Sequence, residues 1–534
     1  MQVDGKGKSS LLNQLAEIDL DFVNTLFRDT MAGTDDADAS LAPMPDVTKL
    51  TSASRSDKQA WFERGLKAVA AGQVAALVLA GGQGSRLGFD RPKGEYDLRL
   101  PSHKTLFEIM SDKIKRVRQL AARASGKSFE DVQLPWYIMT SPMTDADTRA
   151  FFAKKDNFGL GANAVMFFSQ GTLPCFTTEG KIMLESASKV AKAPDGNGGI
   201  YRALHLSGCV RDMDSRGIQY VHAFAVDNAV CKVADPLWIG YCISKGADMG
   251  CKVTEKTYPE ESVGLLCRKN GRFAVVEYSD MDPAAMFERC VPPTAINRSV
   301  LLSHTACLGR RNTDGSLRYS AANLCIHYYT LDFLKNKCNP DSLPKEYHVA
   351  RKKIPYANPA DGTTIPKSAL KENTGIKLES FIFDVCALSD NMAALMVSRD
   401  EEFSPVKNKE GKDSPATARK IFSDLSIARL RDAGAIIPES KDGYCELSAL
   451  VSYDGEGLEM FRGMEMSVPF VVQSASEADK SHFGTGGGPI RVVRQRGVTY
   501  YTVIDEDLYS MMALQHMYVP RGGGCTGGTA CSIL

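Results

Sequence analysis

Apolar residues recur at intervals of three and four from Leu11 to about Ala71, in LLNQLAEIDLDFVNTLF and again in KQAWFERGLKAVAAG, which predicts amphipathic helices. A Pro-, Asp- and Ser-rich stretch around Ala42 to Ser56 reads as a linker between them, so residues 1–72 are expected to form an N-terminal helical domain. The pattern then changes. Val74 to Ala80 is a short, continuous apolar run bounded by glycines, as a strand buried on both faces requires, and KTLFEIMSDKIKRVRQLAARA after it has a helical period. Further units follow: a strand at Trp136–Thr140 with a helix near Asp145–Lys154, strands at Ala164–Phe168 and Gln219–Val226, a helix in DPLWIGYCISKGA and a strand at Lys252–Glu255. Strands alternating with helices predict an α/β fold on a doubly wound sheet over 73–402. Val263–Cys267 and Phe273–Tyr278 flank Asn270-Gly271, a strong hairpin signal, and predict a flap beside that sheet. Past about Glu402 the runs VSYDGEGLEMF, VPFVVQ and GPIRVVRQRGVTYYTV are short, alternating or β-branched and punctuated by glycine. They predict a small β-rich C-terminal domain over 403–534.

Charge narrows the partners. Lys plus Arg and Asp plus Glu are balanced at 64 each, so no global field draws the chain to nucleic acid or anionic membranes, and an anion site must be a local cluster. Small-molecule partners are expected, with no nucleic acid and no membrane. The 14 cysteines include no C-x-x-C and the eight histidines no H-x-x-x-H, so neither structural zinc nor a disulfide framework is expected. MQVDGKGKSS leads into a polar amphipathic stretch, and no apolar run is long enough to span a bilayer, which predicts an intracellular, cytoplasmic protein. The terminal CSIL resembles a prenylation box, but Ser532 is not aliphatic. Ser-Ile-Leu resembles a peroxisomal address with Ile533 in place of the basic residue, leaving a peroxisome-like organelle as the alternative location; a frayed glycine-rich tail is the preferred reading.

The stretch LVLAGGQGSRLGFDRPKGEYD, Leu77 to Asp97, carries the first chemistry. A dinucleotide fingerprint would need a third glycine where Leu87 stands, and the Gly-Lys pair of a P-loop is missing. Gly7-Lys8-Ser9 supplies only the tail of the P-loop pattern, with Gln2 where its first glycine belongs. In a strand-loop-helix unit the ligand lies beyond the carboxyl ends of the strands, and glycines let backbone N–H groups approach it. The loop after Leu79 is therefore expected to face a ligand. Arg86 and Lys93 are cationic and Pro92 stiffens the approach, which suits a triphosphate better than a nicotinamide. Taken singly, either cation reads more commonly as a solvated loop residue.

The same loop, LAGGQGSRLGFDRPKGEYDLRLPSHKTLFEI, resembles the signature of the eukaryotic UDP-N-acetylglucosamine pyrophosphorylases. The resemblance continues in order through FFSQGTLPC, APDGNGGIYRAL, HAFAVDN, VADPLWIGYCISKGADMGCKVTEK, VVEYSDM, AANLCIHYYTLDFL, KKIPY, GIKLESFIFDV and EEFSPVKN, covering roughly 73–408. An insertion-like stretch around Met286 to Asn312 and the tail depart from it. The resemblance implies a central Rossmann-like mixed-sheet nucleotidyltransferase domain, flanked by the N-terminal helical and C-terminal β-rich domains. It implies that UTP and N-acetylglucosamine 1-phosphate become UDP-N-acetylglucosamine and pyrophosphate. A phosphate monoester is already mostly dianionic at about pH 7 and needs no general base, so catalysis is positioning plus charge neutralisation.

Roles follow from the resemblance one residue at a time. Gly81 and Gly82 would lie under the nucleotide, Arg86 would hold the departing pyrophosphate and Lys93 the α-phosphate region. Gln170 would read uracil, its amide offering donor and acceptor together, with Gly196 giving backbone contact. Asp227, ending the strand YVHAFAVD, would be the carboxylate for Mg²⁺, the one expected cofactor, while Asp235 before Pro236 reads as the helix cap. Asn197, Gly264, Glu277 and Asn323 would contact the sugar. Phe381 and Phe383 alternate in ESFIFDV and would pack on the sugar and acetyl group, though periodicity alone fits two core aromatics equally well. Lys377 and Lys407 are further phosphate candidates. A UDP-glucose or broad UDP-sugar pyrophosphorylase is the neighbouring reading, and a sensor that binds without turnover is the non-enzymatic one. A monomer is expected, and tolerance of the galactosamine epimer stays open.

Overall fold

Strands apolar on both faces need a layer on each side, and that requirement organises the computed structural model. It describes residues 5–32, 40–258, 261–277, 317–358, 360–439, 443–479, 481 and 488–504. The stretch expected to be an insertion, around Met286 to Asn312, and the glycine-rich tail lie outside these residues. The central row of strands, in chain order, is β1 (Val47–Lys49), β2 (Val74–Leu79), β3 (Trp136–Thr140), β4 (Val165–Ser169), β5 (Tyr220–Ala225), β6 (Met249–Glu255), β7 (Ala321–Thr330) and β8 (Met392–Met396). Across the sheet they run β1-β8-β6-β7-β5-β2-β3-β4. β7 is antiparallel to both of its neighbours and the other pairings in the row are parallel, so the sheet is mixed.

Side chains sort by the two-residue period of the strand. Ala76, Val78, Trp136 and Ile138 join one buried cluster, and Ala75, Leu77, Tyr137 and Met139 join the cluster on the opposite face. The helix Leu106–Ser125 covers the first face. A capping box of Thr105 and Glu108 starts it and left-handed Gly126 ends it. The expected hairpin is present as Leu265–Lys269 and Arg272–Val276, with Asn270 and Gly271 at φ 52 and 78°, and it joins β7 through Leu265 and Ala322.

The boundary expected at residue 72 falls inside the core. β1 lies within the supposed linker and pairs with β8, and Leu41–Pro43 pairs with the hairpin strand Leu265–Lys269. The helix Arg55–Ala70 crosses the helix Pro236–Ser244 backbone to backbone: a Cβ on Gly65 would lie 1.8 Å from Pro236 O, and one on Gly240 1.7 Å from Trp61 O. Glycine at both positions permits that crossing. The helices Gly5–Ala16 and Leu20–Ala32 sit apart from the sheet, Val23 and Leu26 packing on Phe176, Ile376 and Leu378.

Beyond Ser414 the helix Pro415–Asp432 packs against a four-stranded sheet ordered Glu446–Leu447, Phe470–Ser474, Val498–Val503, Ile490–Gln495. VSYDGEGLEMF forms no strand there; its Glu456 carboxylate accepts the Tyr453 and Asp454 N–H groups and pairs with buried Arg116 at 2.9 Å. A chain of buried and half-buried charges stitches this unit to the central sheet. Lys252 Nζ lies 2.6 Å from both Asp235 and Glu402, Lys232 pairs with Asp454 at 2.7 Å, and Asp454 pairs with Arg429 at 2.8 Å. Among the described residues no helix is long and apolar enough to cross a membrane.

Candidate functional site

Beyond the carboxyl ends of β2, β3 and β5 opens a cleft of about 510 Å³, within the range of small-molecule sites. The glycine loop forms its floor. The Lys93 N–H donates to Gly82 O at 3.1 Å and the Gly84 N–H to Arg91 O at 3.0 Å, so the loop folds back and returns Lys93 to its own beginning. A Cβ on Gly82 would meet nothing within 4 Å, which leaves its backbone open to the cleft, whereas one on Gly81 would press on the Gln170 side chain at 3.3 Å. Gln170, nearly buried, thus rests its amide on Gly81 as its own N–H donates to Thr140 O at 3.0 Å.

Lys93 Nζ meets Asp227 Oδ2 at 3.1 Å, with both side chains less than a fifth exposed. Asp227 is held at the end of β5 by the Val406 N–H, which donates to its carbonyl at 2.9 Å. Asp235 caps the helix Pro236–Ser244, accepting the Leu237 N–H at 3.0 Å, so the Asp227 carboxylate is left to line the cleft. Among the described residues no cluster of three His, Cys, Asp or Glu side chains is arranged to hold a metal. A lone carboxylate fits Mg²⁺, which keeps most of its ligands as water and substrate oxygens, and does not fit zinc.

The other end of the cleft brings together Asn197, Gly264, Glu277 and Asn323. Between Lys252 and Val253 of β6 the register with β7 slips, leaving Leu324 and Cys325 bulged, with Cys325 at φ 54°. The bulge presents Asn323, whose Oδ1 accepts the Cys325 N–H at 3.1 Å and whose own N–H donates to Gly264 O at 2.9 Å. Gly264 in turn abuts Glu277, since a Cβ there would lie 2.5 Å from Oε1. Gly196, at φ 96°, admits no side chain because Ser380 O would stand 2.1 Å from its Cβ. Asn197 lines the cleft with its Oδ1 accepting the Ile382 N–H at 2.9 Å, which fixes the side chain. Lys377 lines the wall paired with Glu379 at 2.5 Å, and Lys407 stands exposed at the rim.

Three expected residues lie elsewhere. Arg86 sits on the 3₁₀ turn Ser85–Leu87, which turns Leu87 into an apolar cluster and therefore Arg86 outward to solvent, outside the cleft lining. The strand bearing Lys377 stops at Glu379, ahead of both phenylalanines. Phe383 is buried in the core and Phe381 stacks on His348 at 4.1 Å, with its N–H donating to Asp384 Oδ2 at 2.6 Å. Neither is among the residues lining the cleft; Phe383 belongs to the core, and half-buried Phe381 packs against it with ring centroids 5.1 Å apart.

Residues without a motif also line the wall. Arg399 and Glu261 pair there at 2.6 Å, and nothing in the local pattern around either signals the other. Asp195, beside Gly196, is nearly buried between Gly171 and Gly199, and its Oδ1 has no hydrogen-bond partner among the described residues. Burial pushes its carboxyl up to about 6, against the opposing pull of Lys377 and Arg202.

Residues 37–291 match the family model described as UTP--glucose-1-phosphate uridylyltransferase. The UDP-N-acetylhexosamine pyrophosphorylase-like protein 1 of Homo sapiens is 42% identical over 459 residues, 82% of this chain and 85% of that one. UDP-N-acetylglucosamine diphosphorylase 1 of Arabidopsis thaliana is 38% identical over 473 residues, 86% of this chain and 87% of that one. Among solved structures, the uridine diphosphate N-acetylglucosamine pyrophosphorylase of Trypanosoma brucei in complex with an inhibitor superposes with a TM-score of 0.70 at 29% identity, over 86% of this chain and 90% of that one. Identity of this order extends well beyond the glycine loop to the whole frame of the cleft, and on that ground the chain belongs to the family of UDP-N-acetylglucosamine pyrophosphorylases.

Proposed function

We propose that this protein is a uridylyltransferase that joins UTP to N-acetylglucosamine 1-phosphate, forming UDP-N-acetylglucosamine and releasing pyrophosphate. The observation that carries the reading is the Lys93–Asp227 pair at the head of a cleft whose far end offers uncharged Asn323 and Gly264. A sugar-phosphate oxygen would attack the α-phosphorus in line with departing pyrophosphate. The dianionic phosphate brings its own nucleophile, so no side chain has to take a proton, and no histidine is among the described residues lining the cleft. Lys93 would neutralise charge as it builds at the α-phosphate, with Lys377 and Lys407 serving the remaining phosphate oxygens. Asp227 would hold Mg²⁺, which supplies further neutralisation on the phosphates when bound. Gln170 would read the uracil edge above Gly81, and Gly196 would let the backbone approach. Asn197, Gly264, Glu277 and Asn323 would take the sugar, the acetyl group resting on them without the two phenylalanines.

The test is pyrophosphate release with UTP and Mg²⁺, comparing N-acetylglucosamine 1-phosphate, N-acetylgalactosamine 1-phosphate and glucose 1-phosphate in parallel. A strong preference for the N-acetylated sugars is expected. Equal or better turnover of glucose 1-phosphate would move the protein to the broad UDP-sugar class, the second reading, and no turnover with any of the three would leave a sensor.

A further inference from the structure

We propose that Arg399 is a positioning residue for the sugar end of the cleft, acting through Glu261; the inference rests on reading that end as the sugar 1-phosphate site. β6 and β8 are parallel neighbours and end side by side, the Val397 N–H donating to Val253 O at 2.9 Å. The segment after β6 carries Glu261 and then Gly264, and the segment after β8 carries Arg399 and then Lys407. One leads to the sugar and the other to the phosphates. Their side-chain link is the Arg399 guanidinium at 2.6 Å from Glu261 Oε1.

Glu261 is nearly buried, and its second oxygen accepts the Thr257 N–H at 2.8 Å. The backbone turns tightly about it, with the Val263 N–H donating to Glu261 O at 2.9 Å. Gly264 follows one residue later, and its carbonyl holds the Asn323 N–H at 2.9 Å. The place of the Glu261 carboxylate therefore sets the place of Gly264, and Gly264 sets Asn323. Without the guanidinium that buried carboxylate keeps one backbone donor, and an uncompensated charge is relieved by moving toward water. The wall would move with it.

Arg399→Met is expected to raise KM for N-acetylglucosamine 1-phosphate about tenfold while KM for UTP changes by less than about twofold. Glu261→Gln should give a smaller rise of the same selective kind. Because both act through one link, the double variant should match Arg399→Met alone. Arg399→Lys, which keeps the charge with fewer donors, should fall between the native chain and Arg399→Met and guards against misfolding, with thermal melting as the control. An unchanged sugar KM in both Arg399 variants, or a parallel rise in both KM values, would overturn the proposal. So would multiplying effects in the double variant, which would instead mean that Arg399 touches the substrate itself. Native turnover in the same assay keeps the two readings separate: its absence would remove the functional reading and this one with it, whereas native turnover with any of those patterns would sink this one alone.

Discussion

At the phosphate end of the cleft, Lys93 and Asp227 meet across 134 residues of chain, and each is tied by its own backbone, Lys93 to Gly82 and Asp227 to Val406. At the sugar end Asn323, aimed by a strand bulge, and Gly264 share the wall with Glu277 and with Arg399 and Glu261, whose charges are matched to each other. The contrast separates two tasks. Charge that must act on a transition state is held rigidly at the point of reaction, whereas recognition of a neutral sugar needs hydrogen-bonding groups whose aim is set from a distance. Rate and selectivity should therefore fail separately.

The sharpest break is Lys93→Ala. Removing a preorganised cation from the reacting centre should lower kcat on the order of a hundredfold or more, with little change in the sugar KM, measured by pyrophosphate release. Arg86→Ala, from its exposed turn, should cost less, and an equal loss would show that the turn closes over the substrate. Next in size, Asn323→Ala should raise KM for the sugar 1-phosphate about tenfold and leave KM for UTP near its native value. A matching rise in both would erase the division between the two ends.

The smallest effect sharpens the comparison at Asp195, buried just behind the cleft wall between Pro194 and Gly196. Its folded carboxyl titrates near 6, above the unfolded value near 4, so between those values the folded chain binds the extra proton. Stability accordingly falls as pH rises through that window, and the loss is complete above it. Asp195→Asn should remove the dependence, gaining on the order of 1–3 kcal/mol over the native chain above pH 6 and little below pH 4, read from urea midpoints. Parallel pH curves for the two proteins would discard the assigned shift.

What could be read from the chain alone follows from where each signal resides. The strands β2 to β6 are legible because burial on both faces writes them as continuous apolar runs, and the glycine loop because close backbone approach needs glycine, whereas β7 and β8 were not read from the chain. The helix Pro415–Asp432 escaped because its buried side uses Ser423 and Ser426, which accept the Cys445 and Leu447 N–H groups and so interrupt the apolar period. β1 escaped because three residues in a polar stretch make an edge strand with no apolar run of their own. Periodicity left Phe381 and Phe383 open between core and sugar, and it could not show that the chain leaves the strand at Ser380, whose N–H donates to Asp195 O at 2.8 Å, a contact from 185 residues away in sequence. The Arg399–Glu261 link has no local signature because its halves belong to connections that only the sheet brings together.

β1 also bears on how the chain is made. Val47 pairs opposite Ala394, so at synthesis rates of about 5–20 residues per second something on the order of half a minute passes between the emergence of the two. During that interval the first strand has left the ribosome with its ladder partner not yet translated, and local contacts cannot shorten the wait. β1 is thus the strand whose ladder partner emerges late, although the partner of Leu41–Pro43 just ahead of it, Leu265–Lys269, emerges well before. Nascent chains halted before Met392 carry β1 unpaired, and in the cell that is when a chaperone would have most to hold.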